Sequence, residues 1–174
     1  MPSPYSAALP LTHGAVRLLI VLNWLSGAAV LALLTATIAA EEWTMTALGI
    51  PGSSEIRRLI MPLRAIAVLG LIAIPLNHAV LKRLLAIVDT VRGGDPFVAM
   101  NAERLTAIAW TLLALQLLSM LIGGIGDAVS TRTLPVAVDA GFSTSGWLAV
   151  LLSFVLARIF AEGTRMREDL EGTV

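Results

Sequence analysis

The sequence contains no cysteine, and charged residues make up only 14% of its 174 positions. Without cysteine there is no disulfide framework, so a small stapled secreted module is excluded. Two histidines, His13 and His78, with no H-x-x-x-H or similar spacing, leave no metal-ligand set; no metal or other cofactor is expected. A basic excess is missing too. The 12 Lys and Arg are balanced by 12 Asp and Glu, so direct nucleic-acid binding is not expected. Catalytic constellations are equally scarce. Glu41 and Glu42 are adjacent, which on a helix sets them about 100° apart and prevents convergent acid–base work. Gly123-Gly124-Ile125-Gly126 lacks the Lys and Thr of a phosphate loop, and the serines have no His and Asp partners in a recognisable arrangement. No enzymatic activity is expected.

What the sequence does have is apolar residues, 57% of the chain, with a mean hydropathy of +0.85. A soluble chain of this length cannot cover so much apolar surface. Four runs approach the roughly 17 to 25 residues that cross a hydrocarbon core. They are 15–40, 65–81, 105–126 and 146–161. The first is longer than the roughly 7 to 15 residues of a signal-peptide core, and Thr37-Ile38-Ala39-Ala40 is a poor cleavage site, so it is expected to be retained as a span. The fold class predicted is all-α: one transmembrane domain over 1–174, a polytopic four-helix bundle whose helices extend into the cytoplasm.

Orientation follows the basic residues. Arg17, then Lys82, Arg83, Arg92 and Arg104, then Arg158, Arg165 and Arg167 fall on one side; Arg57, Arg58, Arg64 and Arg132 fall on the other. The richer side is assigned to the cytoplasm, which places both termini there. Arg64 is expected to snorkel to the interface, and Trp43 and Trp147 mark the outer boundary.

The cytoplasmic hairpin 82–104 has more pattern than the outer loops. Leu84, Ile87, Val88 and Val91 keep helical period, so the second helix should run about two turns beyond the membrane. Gly93-Gly94-Asp95-Pro96 is a strong stop. Asp95 or Asn101 is positioned to begin the next helix, with Glu103 in its first turn. The fourth helix should also overrun into a tail, 162–174, where Arg158 and Glu162 have pairing distance. Ser53 or Ser54 is expected to cap a helix starting near Glu55.

Specific residues in these segments resemble a known family. Gly94-Asp95-Pro96-Phe97, Asn101, Arg104-Leu105, Ile108 and Trp110 fit the form G-x-P-F-x-x-E-N-x-x-R-L-x-x-I-x-W. The tail from Ala157-Arg158-Ile159-Phe160-Ala161-Glu162-Gly163 to Val174 is similar to the terminal motif of the same group. That group is the bacterial four-span membrane family called domain of unknown function 2975. One position departs: the Glu of the motif is Met100 here, which removes whatever bond that carboxylate makes. The resemblance implies the topology. Because members often stand beside a gene for a small helix-turn-helix DNA-binding protein, it also implies a soluble regulator as partner.

The leading expectation is a docking or regulatory role for the cytoplasmic face, carried by Asp95, Pro96, Phe97, Asn101, Arg104, Arg167, Glu168, Asp169 and Glu171. The competing reading is that these residues only fasten hairpin and tail together, with Arg104 paired to the acidic tail. The polar residues within spans, Asn23, Asn77, His78 and Gln116, are expected to face neighbouring helices. A small transporter or a lipid- or small-molecule-binding protein is the alternative, and it predicts a cavity reaching Asn23 and Asn77. Pro75 is expected to bend its helix passively. Ala28, Ala32, Ala36 and Ala40, and Ser119 with Gly123, suit close helix packing, with a homo-oligomeric scaffold as the second use. Membrane lipids are partners in every reading.

Overall fold

The computed structural model describes residues 4–47, 53–130 and 140–171, with side chains described for 11–44, 46–47, 59–130 and 140–169. The elements are α1 (Pro4–Ala39), α2 (Glu41–Ala47), α3 (Ser53–Arg92), α4 (Ala99–Val129) and α5 (Thr144–Glu171). No strand occurs among the described residues, and the fold class is all-α. At a rise of 1.5 Å per residue, the 40 residues of α3 reach about 60 Å and the 28 of α5 about 42 Å. Both exceed a hydrocarbon core of roughly 30 Å, which is why these helices overrun their apolar runs.

Among the described residues four helices carry windows apolar enough to cross a membrane, and only 6% to 17% of each window is buried inside the protein. Leu18, Leu25, Ile38, Leu117, Leu151 and Val155 are each more than half exposed. Water would make such a surface untenable, whereas lipid chains solvate it without cost.

The described residues gather into two compact units, and α1, α3 and α4 each contribute to both. The described residues of the first unit are 4–22, 76–114 and 144–171; those of the second are 23–47, 53–75, 115–130 and 140–143. In the first, Val16, Ile87, Val88, Ile108 and Ala157 form the buried core. His13 of α1 lies 3.5 Å from Asp89 of α3. Trp110 meets Phe154 edge-on, with ring centroids 5.3 Å apart.

In the second unit α1 and α3 approach at Gly27, where an added Cβ would sit 3.1 Å from the Ile74 side chain. The alanine repeat does not serve this contact: Ala28, Ala32 and Ala40 are exposed and Ala36 is half-buried. The glycine one residue before that repeat makes the approach instead. Gly123 does act as a close-packing residue, but against chain rather than helix. A Cβ there would lie 2.6 Å from Gly141 Cα and 2.8 Å from the Ala140 carbonyl oxygen. Ser119 Oγ accepts from Gly141 N at 3.1 Å. Residues 140 and 141, ahead of α5, are thus seated on the surface of α4.

Local signals explain most element ends. The stop after α3 is a Schellman motif: Gly94 has φ +87°, its N–H donates to Val91 O, and the Asp95 N–H donates to Thr90 O. Several boundaries differ from expectation. The helix α4 begins at Ala99, so Asn101 lies inside it and not at its cap, and Glu103 falls past the first turn. The reason is tertiary, since the Asn101 side chain is committed to partners described below. The sequence pattern suggests outer loops over 41–54 and 127–145; the first begins instead with the short α2, and Asp127 belongs to α4. α3 starts at Ser53 and runs unbroken past Pro62 and Pro75; the side chains of Ser53, Ser54, Arg57 and Arg58 lie outside the described ones, as do Arg132 and Pro135 entirely.

Candidate functional site

The hairpin between α3 and α4 is built around Asn101, whose side chain is fully buried. A buried amide must place its donors and its acceptor. Asn101 Nδ2 donates to Thr90 Oγ1 at 2.7 Å and to the Pro96 carbonyl at 2.9 Å. Its Oδ1 accepts from Arg104 Nη1 at 2.9 Å. Arg104 Nη1 also reaches the Ala86 carbonyl at 3.2 Å. One amide therefore joins the last turn of α3, the connecting loop and the first turns of α4. The backbone that the two glycines and Pro96 turn out of helix is satisfied from inside.

Asp95, Phe97 and Arg167 extend this construction to α5. Arg167 Nη1 pairs with Asp95 Oδ1. The Phe97 ring lies 5.4 Å from that of Phe160, inclined at 35°. Gly163 gives it room, because a Cβ there would stand 3.0 Å from Phe97 Cδ1. The Gly163→Val substitution is accordingly expected to push the ring off Phe160 and to lower stability in detergent by about 1 to 2 kcal/mol. A thermal melt indistinguishable from that of the unsubstituted protein would refute this packing.

Among the described residues Arg104 forms no ion pair with the tail; its Nη1 is held by Asn101 and Ala86, and Arg167 joins tail to hairpin through Asp95. Glu168 and Asp169 are exposed. Glu171 ends α5, and its side chain lies outside the described ones. Phe97 is 43% exposed and Met100 is 55% exposed. Met100, in place of the motif's glutamate, faces outward, so the change adds apolar surface and leaves the interior bonds as they are. Arg158 and Glu162 form no ion pair among the described residues.

The polar residues of the spans have separate environments. Asn23 is half-buried, and its Nδ2 donates to the Ile74 carbonyl of α3 at 3.1 Å. Beside it an apolar recess of about 440 Å³ is lined by residues including Trp24, Gly27, Leu31, Leu71, Ile74 and Pro75. Asn23 does not line it. Gln116 is buried, and its Nε2 donates to the Gly141 carbonyl at 3.4 Å. Asn77 is exposed and so does not face a neighbouring helix. The cause is rotational register, which turns its neighbour His78 partly inward. His78 lines a second pocket, of about 420 Å³, with Ala79, Lys82, Arg83, Ala86 and Arg104.

One further constellation gives the Arg64 head group partners that the sequence did not name. Its Nη2 donates to the Thr37 carbonyl in the last turn of α1 and lies 3.2 Å from Glu41 Oε2 at the start of α2. A cation at a helix C-terminus meets orphan carbonyls and the negative end of the dipole. Thr44 completes the junction, its Oγ1 donating to Ala36 O at 3.0 Å. The available signal was Glu41, an acidic residue placed where one apolar run ends, with a single Arg where the next begins. Among the described residues no three His, Asp or Glu side chains converge on a common point.

Helices of this length and surface define a multi-pass membrane protein with polar junctions at the helix ends. The family described as protein of unknown function (DUF2975) matches residues 33–174, and the chain belongs to it. No curated protein and no solved structure matches the chain.

Proposed function

We propose that this protein is a non-enzymatic membrane docking or regulatory partner for a cytoplasmic protein, of which a helix-turn-helix regulator is one example. It resides in a bacterial inner membrane with both termini in the cytoplasm. The observation that carries the reading is the set of exposed apolar side chains, Phe97, Met100 and Met166, on a joint of hairpin and α5 already ordered through Asp95–Arg167 and Phe97–Phe160. A surface already ordered loses little entropy on binding. It offers exposed Phe97, Met100 and Met166 among the exposed charges Arg165, Arg167 and Glu168. Apolar anchors with a mixed-charge rim suit a protein partner better than a nucleic acid. Asn101, being buried, supports that surface from beneath.

The absence of cysteine gives a clean test. In intact cells a membrane-impermeant maleimide is expected to label Ser130→Cys, and to label Glu168→Cys only after permeabilisation. A photo-crosslinker placed at Met166 is expected to trap a cytoplasmic protein, with the yield falling about tenfold in Phe97→Ala, as removal of an interface anchor does. Equal labelling of both cysteines from outside would defeat the topology. Crosslinks only to lipid or to this chain itself would defeat the docking reading.

A further inference from the structure

We propose that the pocket lined by His78, Ala79, Lys82, Arg83, Ala86 and Arg104 is a binding site for a phosphate-bearing anion at the level of the lipid headgroups. This goes beyond the docking reading and does not depend on which compartment the pocket faces.

The site arises from helical spacing. His78, Lys82 and Ala86 recur every four residues along α3, Ala79 and Arg83 lie beside them, and Arg104 closes the pocket from α4. The lining therefore brings together the cations of Lys82, Arg83 and Arg104 and no carboxylate. Two acidic groups of this unit have partners elsewhere, Asp89 lying 3.5 Å from His13 and Asp95 pairing with Arg167, and Glu103 beside Arg104 in the chain is exposed and outside the lining. Like charges gathered without a counter-charge repel one another, so the pocket is electrostatically incomplete.

Arg83 sharpens the point. Its Nη1 has no hydrogen-bond acceptor among the described residues, so the guanidinium is not fully satisfied from within the protein. Buried N–H groups are nearly always paired, and an unpaired cationic donor is the costliest exception. A phosphate oxygen is the acceptor that a guanidinium fork and an adjacent ammonium recognise best. Arg104 is preorganised for the same role, because Asn101 Oδ1 and Ala86 O fix its Nη1. The volume of about 420 Å³ is open enough for a phosphate diester with a glycerol arm, and lies in the range of small-ligand sites.

Depth decides where such an anion comes from. Lys82 and Arg83 directly follow the apolar run 65–81, so their head groups sit where lipid phosphates concentrate. Small apolar residues, Ala79 and Ala86, leave the wall open beside them. Since Arg104 also holds Asn101, an occupied pocket would bear on the base of the hairpin.

The test uses the full chain purified in a neutral detergent, with bound lipid counted by native mass spectrometry. Phosphatidylglycerol is expected to bind one to one, and phosphatidylcholine much more weakly. Lys82→Gln and Arg83→Gln are each expected to weaken phosphatidylglycerol binding about fivefold, the worth of one cation near an anionic headgroup. Arg92→Gln, exposed on the same helix outside the pocket, is expected to change nothing. Lys82 is exposed, so its substitution preserves the fold, and unchanged circular dichroism confirms that. A second arm adds inorganic phosphate or glycerol phosphate. Competition at millimolar concentration identifies a site for free phosphate, and failure to compete identifies a headgroup site; each supports the inference. Equal binding of the two lipids, an Arg92→Gln loss matching those of the pocket variants, or no binding in either arm overturns it.

Discussion

Asn101→Ala is expected to destabilise the protein by about 3 kcal/mol, measured by reversible unfolding in mixed micelles. The size follows from what the truncation strands. The amide is fully buried, with three bonds of 2.7, 2.9 and 2.9 Å. Removing it leaves the Pro96 carbonyl and one Arg104 N–H short of partners in a space closed to water. Asn101→Asp separates shape from chemistry. The carboxylate still accepts from Arg104, but it has no donor for Thr90 Oγ1 or Pro96 O. Thr90 already gives its hydroxyl proton to Ile87 O at 2.7 Å. Two oxygens would then confront a third, and the aspartate variant is expected to be nearly as unstable as the alanine one. Wild-type stability for Asn101→Asp would mean that the Arg104 bond alone matters, and the hub description would fail.

The second large effect is expected at Gly123. An alanine there puts its Cβ 2.6 Å from Gly141 Cα, 2.8 Å from Ala140 O and 2.9 Å from Gly141 N. All three are backbone atoms, so no rotamer change relieves the clash, and the segment 140–143 must lift from α4. Gly141 then loses Ser119 Oγ as acceptor for its N–H, and loses Gln116 and Ser119 as donors to its carbonyl. Non-helical backbone beside a membrane-spanning helix is tolerated only where protein satisfies it. A loss of about 2 to 4 kcal/mol is expected for Gly123→Ala. The next residue supplies the control. Nothing lies within 4 Å of a Cβ at Gly124, so Gly124→Ala is expected to be neutral or to stabilise by up to about 1 kcal/mol. Maleimide labelling of Ala140→Cys should speed up in the Gly123 variant only. Two glycines behaving alike would show that the segment is not seated as described.

Much of the hairpin was legible. The period carried through Leu84, Ile87, Val88 and Val91 foretold the overrun of α3, and Gly93-Gly94 foretold its end at Arg92. Both depend on residues within one or two turns, which is the range over which sequence pattern acts. Asn101 shows the limit. Asparagine is a good cap, and local preference alone cannot say that its amide turns inward to Thr90 and Pro96. Arg64 is similar: its snorkelling length was evident, but the Thr37 carbonyl that receives it lies 27 residues away in sequence.

Taken alone, the sequence determined the solvent, the all-α class, the four apolar helices and the place where α3 stops, because hydropathy and turn chemistry are short-range properties. Tertiary structure alone decided which faces meet. A soluble helix declares its inward face by being apolar on one side, but these spans are apolar nearly all round, and lipid rewards no face over another. Contact therefore settled on Gly27 and not on the neighbouring alanines, on Gly123 against Gly141, and on Asn101 within the hairpin. In hydrocarbon, shape fit and the pairing of polar atoms choose between such arrangements, and both are known only once the helices are side by side.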